Sequence, residues 1–149
     1  MSHLTELYRL VAMTRMTQRI ALIVLAATAV AVGGWAAIGP RSFYDSFPGL
    51  GRAWVGVDGP YNEHLVRDVG AFYLAMLVLT VAALWRLEPV MVRVAGASWL
   101  VFGALHLGYH AINRQVLGST DQVLNLGGLA LSVALAAALL LPVREGIEH

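Results

Sequence analysis

The sequence contains no cysteine and no lysine, and few of its residues carry a charge of either sign. Without cysteine the chain has no disulfide, no thiolate metal ligand and no thiol nucleophile. Charged residues make up 13% of the 149 positions, against about 25% in a soluble domain. The net charge of +1 gives no basic field for nucleic acid. These shortages exclude a soluble enzyme and a nucleic-acid-binding module.

Long apolar segments take the place of the missing charges, and 58% of the residues are hydrophobic. A helix rises about 1.5 Å per residue and the hydrocarbon core is about 30 Å thick, so a span needs about 20 apolar residues. Four runs of near this length contain no Asp, Glu, Lys or Arg: 20–40, 69–85, 94–113 and 122–143. They predict an all-α integral membrane four-helix bundle, a single domain over residues 1–149. The expected spans are about 20–38, 60–85, 94–113 and 122–141, with an outer loop at 39–59.

The flanking residues predict helix ends and orientation. Apolar residues recur at helical spacing within 4–11, which predicts a short amphipathic N-terminal helix on the membrane surface. Asp58-Gly59-Pro60 predicts the start of span two. Six arginines lie on one side of the predicted membrane, before span one, between spans two and three or after span four. Three others lie on the opposite side, and Arg67 lies at the edge of that side. The positive-inside rule therefore predicts both termini in the cytoplasm, in a bacterial inner membrane. The expected partner is the lipid bilayer, with a homo-oligomer or a larger membrane complex left open.

Polar residues four positions apart occur near one end of three predicted spans. Residues at this spacing share one helix face, and ionisable groups at membrane depth are costly enough to indicate a function. Under the predicted topology all three pairs lie in the outer leaflet. The pairs are His64 with Asp68, His106 with His110, and Asp121 with Asn125.

These pairs predict a transition-metal site between spans two, three and four, near the outer face. Two histidines four apart on a helix can reach one ion, and histidine with carboxylate suits Zn, Cu or Fe. The expected ligands are His64, Asp68, His106 and His110. The expected supporting or alternate ligands are Glu63, Asn113, Asp121 and Asn125, with Asp45 and Asp58 closing over the site. If the chain is a membrane metalloenzyme, a metal-bound water or oxygen species would act on a lipid-like or small apolar substrate.

Other interpretations of the same residues remain open at this point. The polar pairs could form a structural network in a non-catalytic accessory or scaffold subunit, in which His64 bonds Asp68 and Glu63 pairs with Arg67. Asp121 could be only the N-cap of span four. Haem is the alternative cofactor, with His64 and either His106 or His110 as axial ligands from two helices. A proton or solute path is a further alternative.

A resemblance rests on two stretches, Phe43–Gly49 and Pro60–Gly70. They resemble small uncharacterised bacterial four-helix membrane proteins, which in outline are similar to the DoxX-like group. The likeness covers residues 40–115 at most. It implies a four-helix bundle and no established activity.

Overall fold

Four long helices, one short helix and a small hairpin form the fold of residues 12–143, the part of the chain that a computed structural model describes. Each long helix is long and apolar enough to cross a membrane. The elements in chain order are α1 (Arg15–Ile38), α2 (Pro40–Ser46), β1 (Pro48–Gly49), β2 (Arg52–Ala53), α3 (Glu63–Arg86), α4 (Pro89–Ile112), a 3₁₀ turn (Arg114–Val116) and α5 (Ser119–Ala138).

Capping residues set the helix ends, and these differ from the predicted ends by a few residues. The Thr14 side chain accepts a hydrogen bond from the N–H three residues on, so α1 begins earlier than predicted. Asn62 caps α3 in the same way, so the prediction that Asp58 and Pro60 start this helix is wrong. Pro89 begins α4, where its missing N–H loses no helical bond. Each long helix begins three to six residues before its charge-free run.

The long helices run alternately in opposite directions, which gives the bundle two distinct ends. The α1–α3 and α4–α5 connections lie at one end, called here the hairpin end. The two-residue α3–α4 link and the described residues 12–14 and 139–143 lie at the other, called the terminal end. There the Met13 N–H donates to the Pro142 carbonyl at 2.8 Å. The predicted amphipathic helix at 4–11, Arg9 and Arg144 lie outside the described residues.

Glycines allow two helix pairs to approach closely. A Cβ at Gly70 of α3 would lie 2.5 Å from the Ala37 nitrogen of α1, and a Cβ at Gly33 would lie 2.8 Å from Tyr73 Cβ. A Cβ at Gly96 of α4 would lie 2.8 Å from Leu139 Cβ. Small residues at such contacts let helix backbones approach in membrane proteins. The α1–α3 contact lies toward the hairpin end and the α4–α5 contact lies at the terminal end.

The main core occupies the terminal half of the bundle. Leu22 and Leu25 of α1, Val92 and Trp99 of α4 and neighbours from α3 are buried there. The Trp99 indole N–H donates to the Thr80 hydroxyl at 2.8 Å across the α3–α4 interface. A smaller aromatic cluster around Phe43 closes the hairpin end. Space remains between the two clusters, and the candidate site lies in this space.

Candidate functional site

A cavity of about 560 Å³ lies among the long helices, from mid-bundle toward the hairpin end. All four long helices line it, and the α1–α3 connection covers it with Phe43, Phe47, Trp54, Val55 and Asp58. Most lining side chains are apolar. Thr28 and Ser132 also line it, but their hydroxyls donate to carbonyls within their own helices. The cavity is therefore an apolar chamber with few available hydrogen-bonding groups.

His106 and His110 are the main available polar groups in this cavity. Helix α4 carries Trp99, Gly103, His106 and His110 at successive steps of four, three and four residues, and the first two are buried. Residues at these steps share a helix face. The two imidazole rings lie edge to face with centroids 4.7 Å apart. Neither imidazole makes a hydrogen bond to another residue within 12–143.

Aromatic packing fixes the orientation of His106. Its ring stacks on Phe102, with centroids 5.2 Å apart and an angle of 15° between the planes. Phe102 in turn packs edge to face against Tyr73 of α3. Aromatic contacts thus orient the His106 ring, while its nitrogens have no hydrogen-bond partner among the described residues.

Three more polar side chains line the same cavity from other elements. Asn125 of α5 is buried there, Asp58 belongs to the α1–α3 connection and Tyr73 to α3. None of their side chains forms a hydrogen bond with another described residue, and Asp58 is near enough to act electrostatically on His110. Carboxylate, amide, phenol and imidazole groups therefore surround one apolar space.

The predicted metal ligands on α3 lie elsewhere. His64 Nδ1 and Asp68 Oδ2 are 3.1 Å apart, with side chains 79% and 61% exposed, and neither residue lines the cavity. The four predicted ligands are thus not brought together, and residues 12–143 hold no group of three or more His, Asp or Glu side chains placed to share an ion. His64 likewise does not share the cavity with His106 and His110, which the pairing of axial haem ligands would require.

The remaining predicted residues are engaged in the fold. Glu63 accepts a hydrogen bond from Arg67 at 2.8 Å, as the structural-network interpretation expects. Arg67 also donates to the Ala37 carbonyl at the C-terminal end of α1, where helical carbonyls lack partners within the helix. The Asn113 amide donates to its own helix at the Tyr109 carbonyl. Glu63 and Asn113 therefore contribute nothing to the cavity.

Asp121 forms an ion pair with the hairpin, two residues before the cavity-lining Trp54. Gly118, not Asp121, is the N-cap residue of α5, so the cap interpretation is wrong. The Asp121 carboxylate instead accepts a hydrogen bond from Arg52 of β2, and both side chains are about two-thirds buried or more. The Trp54 indole adjoins the same carboxylate without a hydrogen bond of ordinary geometry. The pair ties the hairpin to α5, and the residues on either side of the hairpin, Phe47 and Trp54, line the cavity.

Sequence reasoning missed a contact beside the cavity and one of the residues that line it. The Arg52–Asp121 pair joins positions 69 apart, and no local pattern indicates such a contact. Gly128 lines the cavity and has no neighbouring atom within 4 Å of where its Cβ would be. The sequence did carry one signal for the cavity wall, namely the helical spacing that places Trp99, Gly103 and His106 on one face of α4. Of the two outer-loop acids expected to close over the site, Asp58 lines the cavity, whereas Asp45 pairs with Arg41 at 2.7 Å.

Comparison of the chain with protein-family models, with curated proteins and with solved structures found no match of any of the three kinds. The geometry of the cavity is therefore the basis for assigning a function.

Proposed function

We propose that this is a multi-pass protein of a bacterial inner membrane, with the hairpin end outward and both termini in the cytoplasm. Large apolar side chains on the outer surface support insertion. Leu105 is 73% exposed and Ile112 is 78% exposed, and many others are similar. Contiguous exposed apolar surface of this kind marks contact with lipid or with a partner. In the sequence, six of the ten arginines precede the first predicted span, join the second and third or follow the fourth, which supports the orientation.

Reporter fusions test this topology. A reporter fused after Glu148 should be active only as a cytoplasmic reporter. The same reporter inserted within 45–55 should behave as exported. The reverse pattern would contradict the orientation and would place the cavity toward the cytoplasm.

Within that membrane setting, the function that the geometry favours is binding of an amphipathic, lipid-like small molecule. The observation that carries this proposal is the cavity of about 560 Å³ with free imidazoles at one end. Binding sites for small molecules are typically apolar, with a few polar groups that fix orientation. The apolar part of the ligand would occupy the space beside Trp99 and Leu131. Its polar head would bond His106, His110 and Asn125.

The ligand would enter from the lipid rather than from water. Lining residues Val24 of α1 and Leu124 and Leu131 of α5 are all exposed on the protein surface as well. Helices α1 and α5 make few contacts with each other, so the cavity opens between them toward the surrounding bilayer. The α1–α3 connection, in contrast, covers the cavity at its outer end.

Tryptophan quenching tests this proposal, because Trp54 and Trp99 both line the cavity. A brominated long-chain alcohol should quench the purified protein saturably, and it should bind more tightly than the matching brominated alkane. Replacing His106 and His110 by Phe should remove this preference. The expected loss is about fivefold, because a hydrogen bond contributes about 1 kcal/mol.

His64→Phe is the matched control, since it changes the same residue type at an exposed position outside the cavity. It should leave the preference for the alcohol unchanged. Equal binding of alcohol and alkane by the unaltered protein would contradict recognition of a polar head.

A metal centre is the second candidate function, and the adjacency of His106 and His110 favours it. Their ring centroids are 4.7 Å apart, so the two imidazoles could supply two ligands to one ion. Asn125 lines the same cavity with an amide oxygen, whereas Asp58 is not placed with the two histidines to share an ion. A Zn, Cu or Fe ion held there would support a metalloenzyme acting on the lipid-like ligand. Protein purified without a histidine tag should then carry a stoichiometric transition metal. His106→Ala with His110→Ala should abolish that metal content, whereas His64→Ala should retain it.

A further inference from the structure

A second, smaller pocket of about 180 Å³ lies at the terminal end, away from the central cavity. Arg15 and Gln18 of α1, Arg93 of α4 and the residues after α5 line it. We propose that this pocket binds a phosphate group of the kind carried by phospholipid headgroups. The binding site is independent of the function proposed for the central cavity.

The charge of the pocket is the first reason. Arg15 donates to a neutral acceptor, the Leu87 carbonyl, at 3.3 Å. The Arg93 side chain has no hydrogen bond or ion pair with any residue within 12–143. By contrast, Arg86 at the same end pairs with Glu88 at 3.1 Å. Two guanidinium groups therefore line one pocket without a carboxylate in its described lining, an arrangement that attracts an anion.

The buried amide of Gln18 is the second, independent reason. Gln18 is only 2% exposed, and it lines the pocket. Its Oε1 atom is buried with no hydrogen-bond partner among the described residues, although buried polar groups are nearly always bonded. The amide N–H₂ group of the same side chain also has no hydrogen-bond partner within 12–143, and it is the donor that an anion in the pocket requires. A phosphate oxygen in the pocket would accept a hydrogen bond from it.

The geometry favours a phosphate group over a larger anion. Guanidinium groups present planar pairs of donors that match phosphate oxygens. The pocket is small, and Leu87, Leu139 and Pro142 supply apolar walls for the carbons attached to the phosphate. In a membrane, the terminal ends of α1 and α4 would lie at headgroup depth. A lipid headgroup and a soluble phosphate ester share this chemistry, so the experiment must separate them.

The experiment measures binding to the full-length protein in a neutral detergent at constant ionic strength. The probes are dioctanoylphosphatidylglycerol, dioctanoylglycerol without phosphate, and soluble glycerol phosphate. The phosphatidylglycerol should bind saturably and the dioctanoylglycerol should not compete for that site. Arg93→Gln should weaken phosphatidylglycerol binding by about tenfold or more, because hydrogen bonds to charged groups are the strong ones.

Arg19→Gln is the matched control. It removes the same charge from the same end of the bundle, at an exposed residue that does not line the pocket, and it should leave the dissociation constant unchanged. Gln18→Leu should weaken binding while keeping the side-chain size. Tighter binding of phosphatidylglycerol than of glycerol phosphate would identify the lipid headgroup as the source, and equal binding would identify soluble phosphate esters.

Three results would overturn the proposal. One is that no phosphate probe binds saturably to the folded protein. Another is equal weakening by Arg93→Gln and Arg19→Gln, which would indicate diffuse attraction by positive charge. The third is binding that occurs only after Glu145 and Glu148 are both changed to Gln, because the chain's own acidic end would then be the natural occupant.

Discussion

Gly128→Leu should weaken ligand binding in the central cavity without harming the fold. Gly128 lines the cavity, and a side chain there would meet no atom within 4 Å of its Cβ. The new leucine would therefore extend into the space that the ligand needs. Replacing a glycine within a helix also removes a destabilising residue, by about 0.5–1 kcal/mol on aqueous scales. The folded protein should be as stable as before or slightly more so.

The expected loss of affinity comes from steric exclusion. Lipid and detergent are as apolar as the cavity wall, so burying the ligand's methylenes there gains little from the hydrophobic effect. Forcing extra methylenes into a filled apolar space costs about 1–3 kcal/mol. The brominated alcohol should therefore bind about 5- to 150-fold more weakly, since about 1.4 kcal/mol corresponds to a factor of ten.

Gly127→Leu provides the matched control at the next position. Its Cβ also would meet nothing within 4 Å, but Gly127 does not line the cavity. Both variants should be assayed by saturable quenching in a Trp85→Phe background, because exposed Trp85 would report the probe dissolved in detergent. Unchanged affinity in Gly128→Leu, or an equal loss in both variants, would refute the assignment of the ligand to the cavity.

Three further outcomes are expected. Arg52→Gln should loosen the hairpin, increase its proteolysis and lower the stability of the protein by about 1 kcal/mol. Arg41→Gln removes a more exposed ion pair and should lower stability by less. Equal effects of the two variants would contradict a role of the Arg52–Asp121 pair in holding the hairpin. Asp68→Asn should leave metal content and alcohol binding unchanged, because the His64–Asp68 pair is exposed and lies outside the cavity. A loss of metal affinity of about 10- to 100-fold, the scale for a residue that supports a metal ligand, would instead show that Asp68 belongs to a metal site. Thr80→Val should lower the thermal midpoint, because the buried Trp99 N–H would lose its hydrogen-bond partner at a cost of about 1–3 kcal/mol. Thr80→Ser keeps the hydroxyl and should keep the midpoint. Equal midpoints for the two variants would show that this hydrogen bond does not stabilise the fold.

The sequence alone determined the number of long helices and their approximate positions. Apolar runs of this length have few alternatives to a long helix, since a helix satisfies its own backbone hydrogen bonds. The sequence also determined that His106 and His110 share a face, because their spacing matches the helical repeat. It placed both near the same end of the bundle as Asn125, and in the structure all three line one cavity.

The rotation of each helix about its axis was decided only by tertiary packing. Helices that are apolar all round carry almost no pattern to distinguish an inward face from a lipid-facing one. On α3, the close contact at Gly70 and the burial of Val66 and Tyr73 turn that face inward. His64 and Asp68 stand two residues from these positions, about 200° around the helix. They therefore lie on the outer surface, whereas α4 packing directs His106 and His110 into the cavity.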